Sequence, residues 1–298
     1  MYTIDNTDSK LSQNIVVSNK DGSNRLVISL TEGGRVKLYK HENLLIVSDL
    51  ENSGYNTNYA SAILFPFANR IEDGKYQFKS KVYQLPCNEV TNSNAIHGLV
   101  YNKTFQLLNE DTRSNSARIE LKYIEENGCE GFHFKYSVLL RYIISNDGLK
   151  LKMTVKNEDE STFPFTLGWH PYFISSDLSK SELFFNCREK FITNKKGIIT
   201  GKERFEETMP VKLAKVKFDD AFTVGADMVT LSTPDYKVQI NSSLKENNLQ
   251  IYTPPNSNGI ALEPMVGVSN SFNNSIDLKT LDPNKSFEVE WDLKVSCL

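Results

Sequence analysis

Four histidines occur in the 298 residues, so each can be weighed as an acid, a base or a ligand. His170 lies in Phe163-Pro164-Phe165-Thr166-Leu167-Gly168-Trp169-His170-Pro171-Tyr172-Phe173. Alternation there puts Phe163, Phe165, Leu167 and Trp169 on one face and His170 with Thr166 and Gly168 on the other. Small neighbours leave room above the imidazole, as a ligand cleft requires, and Pro171 holds His170 in extended geometry. A hydrogen-bonded histidine at a strand end fits the same segment. His97 precedes Gly98, which permits a close backbone approach, so it serves either a site or a turn. His41, in the polar stretch Tyr39-Lys40-His41-Glu42-Asn43, and His133, on the face of Lys135 and Arg141, are expected to be solvated.

The carboxylate of most interest is Glu263, inside the apolar run Gly259-Ile260-Ala261-Leu262-Glu263-Pro264-Met265. An acid so placed must be paired, or desolvation raises its pKa. That suits a general base, although structural ion pairs perturb carboxylates too. Asn69-Arg70 sets a guanidinium beside Leu64-Phe65-Pro66-Phe67-Ala68, which alone reads as a salt-bridge arginine. Asp219-Asp220-Ala221-Phe222 joins an acidic edge to an aromatic ring, with a solvated turn as the plainer reading.

Composition narrows the chemistry. The 37 acidic and 34 basic side chains leave a net charge of -3, without the basic excess of a nucleic-acid binder. Cys87, Cys129, Cys187 and Cys297 form no Cys-x-x-Cys pair, and no His-x-x-x-His occurs, so neither a zinc site nor any other cofactor is expected. Scattered thiols fit a reducing compartment. The first residues lack a signal-peptide pattern, and no apolar run approaches the roughly 20 residues that span a bilayer. The expectation is a soluble, cytoplasmic protein with no membrane partner.

The elements that must position these residues repeat with a period of two. Phe132, Phe134, Tyr136, Val138 and Leu140 alternate with more polar residues, and Leu149, Leu151, Met153 and Val155 do the same. Ser145-Asn146-Asp147-Gly148 between them is a hairpin turn composition. Similar runs span 25–30, 36–39, 44–47, 118–123, 228–231, 238–240, 249–252, 260–262 and 287–295. No amphipathic helix longer than about three turns is evident. No linker or composition shift divides the chain. The prediction is an all-β protein: one domain over residues 1–298 forming a large antiparallel β-sandwich.

Taken together, Asn69-Arg70-Ile71 with Gly74, His97-Gly98, Gly168-Trp169-His170-Pro171-Tyr172-Phe173, Asp219-Asp220-Ala221-Phe222 and Leu262-Glu263-Pro264 resemble the aldose 1-epimerase (mutarotase) family and its galactose mutarotase-like relatives. They follow the family order over about residues 60 to 275. The resemblance implies a β-supersandwich whose concave face binds a monosaccharide. It implies Glu263 as the base that takes the anomeric hydroxyl proton and His170 as the acid that protonates the ring oxygen. It also implies Asn69, Arg70, His97 and Asp220 as contacts to sugar oxygens. Trp169, Tyr172 and Phe222 are candidates for packing against sugar C–H faces, with plain core packing as the other reading of each. The two acid–base residues are expected on opposite sides of one sugar-sized pocket, in a monomer or homodimer.

Two departures leave the sugar open. The family often carries a tryptophan soon after His-Gly, where this chain reads Tyr101-Asn102-Lys103-Thr104-Phe105. The segment after Glu263, Pro264-Met265-Val266-Gly267-Val268-Ser269-Asn270, resembles the divergent aldose-epimerase-like branch. A hexose-6-phosphate epimerase is the alternative enzyme; it needs a cationic pocket, for which Lys103, Arg141 and Arg188 are the available charges. A non-catalytic carbohydrate-binding or sensing protein is the alternative outside catalysis. Retention of both His170 and Glu263 argues against it.

Overall fold

Alternating side chains need two sheets to share one core, and the computed structural model shows that arrangement for residues 1–9, 12–51, 54–187 and 189–298. One antiparallel sheet has thirteen strands and the other nine. In the second, the expected hairpin joins Tyr136–Ser145 to Gly148–Asn157, with Ser145 opposite Gly148. Gly148–Asn157 then pairs with the final strand, Ser286–Cys297, which pairs in turn with Tyr236–Ser242. The chain therefore closes its second sheet only when its last strand is in place.

The first sheet carries the residues of interest. Tyr172–Ile174, Gly259–Val266, Asn247–Tyr252 and Asp219–Val224 are successive neighbours in it. Ile260, Leu262, Leu249, Ile251 and Phe173 point into the core, where they join Val138, Leu140, Leu151 and Met153 of the other sheet. Trp169 and Trp291 are fully buried in the same core. Each large side chain so buried contributes about 1.5–3 kcal/mol relative to exposure. With one face spent on the core, every intervening residue of these strands is turned to the opposite face.

Local differences from the sequence reading have local causes. The strand anticipated from Phe132 begins at Tyr136. Cys129 and Phe132 instead close a tight turn by reciprocal backbone bonds of 2.8 and 2.9 Å. The terminal hairpin of Tyr2–Ser9 and Ser12–Asn19 was not among the expected runs, because polar residues interrupt its alternation. Among the described residues the α-helices are single turns, Tyr55–Asn58 and Ser271–Asn274.

His41 is a correction: it is buried rather than solvated. Glu42 and Asn43 both adopt positive φ, 48° and 67°, and form a two-residue hairpin turn with His41 opposite Leu44. His41 is thus the last rung of a strand, hydrogen-bonded to the Tyr39 hydroxyl at 3.2 Å, and burial lowers its pKa. His133 is exposed.

Gly98 shows how closely the loops are fitted to the sheet. Its φ is +77°, and a Cβ there would lie 2.3 Å from the Phe65 carbonyl oxygen. Gly98→Ala is therefore expected to cost at least about 1–2 kcal/mol from the left-handed conformation alone, with the clash added. Chemical denaturation of the variant against the parent protein measures this; equal midpoints would contradict the packing described.

Candidate active site

Strand register brings His170 and Glu263 together. Leu167 and Gly168 stand opposite Val266 and Met265, and Tyr172 and Phe173 stand opposite Ala261 and Ile260. Both pairings share one register, which sets His170 directly across from Glu263. The His170 Nε2 to Glu263 Oε1 distance is 3.3 Å. The two side chains are thus neighbours on one wall rather than groups facing each other across a pocket, a correction to the expected placement. His170 is held by its backbone, donating to Ala62 O at 3.1 Å and accepting from Ser61 N at 2.7 Å.

Both groups are almost wholly out of water, at 4% exposure for His170 and 2% for Glu263. Desolvation disfavours the charged form of each. Burial raises the Glu263 carboxyl well above its ordinary range, with the nearby Asp219 adding to the effect. Burial pushes the His170 imidazole down to about 4. His170 Nδ1, Glu263 Oε2 and His97 Nδ1 are buried without a hydrogen-bond partner. Each such atom costs roughly 1–3 kcal/mol, so their clustering marks a place where a ligand is meant to supply partners.

Loops complete the surroundings. His97, at φ +62°, donates its backbone N–H to Asn69 O at 2.9 Å. Its ring lies edge-on to His170 at 5.0 Å between centroids and 4.8 Å from Tyr59. Burial and the neighbouring His170 lower the His97 pKa well below its usual value. Asn69 donates to Gln250 Oε1 at 3.3 Å, and Gln250 donates to Asp219 Oδ1 at 3.0 Å. Gln250 is itself the strand neighbour of Glu263 on the other side.

Arg70 is locked. Its Nε donates to both Glu89 oxygens, at 3.0 and 3.1 Å, and its Nη2 to Oε1 at 2.8 Å. Asn94 and Asn92 fasten Glu89 from behind at 2.7 and 3.2 Å. Gly197 passes so close that a Cβ would lie 2.8 Å from Arg70 Nη1. These residues surround a cleft of about 880 Å³ whose lining includes Asn69, Arg70, His97, His170, Tyr172 and Glu263.

Three expected sugar contacts do not line this cleft. Trp169, one residue before His170, has the opposite parity and is wholly within the core. Phe222 is equally buried, packed on Phe185 and Phe205 at 4.9 and 5.0 Å. Asp220 shares the parity of Phe222 and binds Lys190 at 3.1 Å. The cleft acid is Asp219, whose carboxyl is raised mainly by desolvation at the cleft wall. Parity with the aromatic Phe222 was the available signal, because a one-residue shift exchanges the two faces. Gln250, Tyr252, Tyr59 and Glu89 were also passed over. The first two alternate with core residues Leu249 and Ile251 and were legible on that ground. Arg188 lies outside the described residues, and neither Lys103 nor Arg141 lines the cleft.

Glu263→Gln tests the electrostatics. In the folded chain Glu263 stays protonated to higher pH than in the unfolded chain, so its ionisation draws stability away as pH rises above the ordinary carboxyl range. Glutamine lacks that loss. The variant is expected to gain stability relative to the parent between pH 5 and pH 8, measured by denaturant unfolding at both. A constant difference would refute the raised carboxyl.

The family model described as aldose 1-epimerase matches residues 16–294. Among curated proteins, the uncharacterized protein YihR of Escherichia coli is 26% identical over 245 residues, covering 78% of this chain and 77% of its own. The uncharacterized protein YphB of the same organism is 27% identical over 152 residues, 51% of this chain and 49% of its own. Of solved structures, a galactose mutarotase-like protein from Clostridium acetobutylicum superposes with a TM-score of 0.85 at 22% identity, over 99% of both chains. The galactose 1-epimerase of Lactobacillus acidophilus superposes with a TM-score of 0.79 at 16% identity, over 100% of this chain and 99% of its own. At these identities the structural matches establish the fold, a galactose mutarotase-like β-sandwich.

Proposed function

The chain belongs to the aldose 1-epimerase family, and on that premise we propose that it interconverts the α and β anomers of a free, uncharged aldose. The observation that carries this reading is the in-register His170–Glu263 pair, buried at 3.3 Å with unpartnered atoms on both members. Anomer exchange requires one proton removed from O1 and one delivered to O5. Both oxygens are bonded to C1, so an acid and a base side by side can reach them together.

The pair works with a single proton. Burial alone favours that proton on Glu263, with His170 neutral. A sugar entering the cleft offers hydroxyl donors to Glu263 Oε2, and hydrogen bonds to a carboxylate favour its charged form. The proton then resides on His170. Glu263 takes the O1 proton as His170 protonates O5, and the C1–O5 bond breaks to give the open-chain aldehyde. Rotation about C1–C2 presents the other carbonyl face, and the reverse transfers close the opposite anomer. Such acid–base assistance is worth on the order of 10²–10⁴-fold. Asn69, Arg70, His97 and Asp219 are the groups we assign to holding sugar oxygens, with Tyr172 beneath a C–H face.

An uncharged sugar is favoured over a phosphorylated one by the state of Arg70. Among the described residues that line the cleft it is the only lysine or arginine, and Glu89 already neutralises it. Asp49 is paired with Arg35, and Glu51 and Asp219 add negative charge around the same cleft, where a phosphate would be repelled.

NMR exchange or polarimetry on freshly dissolved α-glucose and α-galactose should show accelerated anomer exchange. Glu263→Gln should reduce kcat by about 10²–10⁴-fold with a smaller change in KM. The acid limb of kcat/KM should fall as pH drops toward about 4, where the pair gains a second proton. Glucose 6-phosphate should turn over more slowly than glucose; the reverse order would select the phosphorylated substrate, and no acceleration of any aldose would reject the reading.

A further inference from the structure

The cleft is longer than its acid–base pair requires. Its volume, about 880 Å³, lies near the top of the roughly 300–1,000 Å³ span of small-molecule pockets, and one pyranose ring leaves much of it unfilled. Strand register shows where the surplus runs. Gln250, Glu263 and His170 form one cross-strand row. Two residues along, Ala261 stands opposite Tyr252 on one side and Tyr172 on the other. Two residues further, Gly259 stands opposite Ile174. Period two keeps Glu263, Ala261 and Gly259 on one face, and four residues at about 3.4 Å each set the last row about 14 Å from the acid–base pair. Ile174 and Gly259 line the same cleft as Glu263.

The side chains along this track have the chemistry of a saccharide subsite. Ala261 adds no bulk between Tyr172 and Tyr252, and Tyr252 is half-exposed. Leu50 rests on Gly259, where a Cβ would meet its Cδ2 at 2.7 Å, and together with Ile174 it presents apolar surface. On the rim, Asn256 and Asn258 are exposed beside Ser257. Apolar and aromatic walls suit sugar C–H faces, while rim amides suit hydroxyls. In a pyranose, C4 lies across the ring from C1. When O1 and O5 face Glu263 and His170, the far side of the ring points away from the pair.

We propose that the cleft accepts the reducing-end unit of an uncharged di- or oligosaccharide, with a second glycosyl unit seated beyond Tyr172, against Tyr252, Leu50 and Ile174. The proposal rests on the acid–base reading of His170 and Glu263. It makes a longer saccharide, released with a free reducing end by a glycoside-cleaving reaction, the better substrate.

Comparing sugars with the same reducing unit tests it. Glucose is set against maltose, cellobiose and lactose, and galactose against β-1,4-galactobiose, with anomer exchange followed by NMR. At least one disaccharide should exceed its monosaccharide in kcat/KM by about tenfold. Leu50→Trp, which fills the far row, should bring that disaccharide down to the monosaccharide value and leave the monosaccharide unchanged. Asn258→Ala, an exposed rim change at a residue outside the left-handed conformation, should raise the disaccharide KM about three- to tenfold without altering kcat on the monosaccharide. Disaccharides no better than their monosaccharides, or variants that lower both sugars alike, would overturn the subsite while leaving the anomer-exchange reading intact. Acceleration of neither kind of sugar would overturn both.

Discussion

Burying Glu263 beside His170 is the constraint on which the rest of the molecule depends. Removing a carboxyl and an imidazole from water disfavours both charged forms, and the raised and lowered pKa values record that cost. Unpartnered atoms on His97, His170 and Glu263 add to it. A folded domain has only about 5–15 kcal/mol of net stability, so such a cluster persists only inside a framework that over-determines it. Two sheets sharing one large core supply that framework.

The same core explains why the site is assembled from strands and loops together. Cross-strand pairing sets the distance between His170 and Glu263, and a strand ladder holds such pairs more firmly than a loop does. Loops then bring Asn69, Arg70 and His97 over the face opposite the core. His97 and Asn69 both adopt positive φ, at 62° and 58°, and a backbone bond of 2.9 Å joins them. Glu89 and its asparagine supports spend the charge of Arg70 within the protein. What remains facing the cleft is a set of hydrogen-bonding groups and aromatic surface.

Much of this was readable from the linear chain. Alternation identified the Gly148–Asn157 and Ser286–Cys297 strands and the hairpin at Asp147-Gly148. The burial expected of Glu263 is borne out. Alternation also carried more than was drawn from it. The parity that separates Trp169 from His170 excludes the tryptophan from the cleft, and Phe222 does the same for Asp220 in favour of Asp219. His41 went the other way, because two residues at positive φ turned an apparent loop into a strand end.

Sequence alone determined which residue types could do chemistry and which face of its own strand each would take, since period-two geometry is a local property of the backbone. It could not determine which strand lies beside which. Glu263 and His170 are separated by more than ninety positions and meet because the Gly259–Val266 strand pairs in one particular register with the segment around Trp169 and Tyr172. Register between distant strands is chosen by the burial of whole faces, a property of the packed core and of no single segment. The buried pair, the locking of Arg70 by Glu89 and the length of the cleft are all consequences of that choice, and only the tertiary structure contains it.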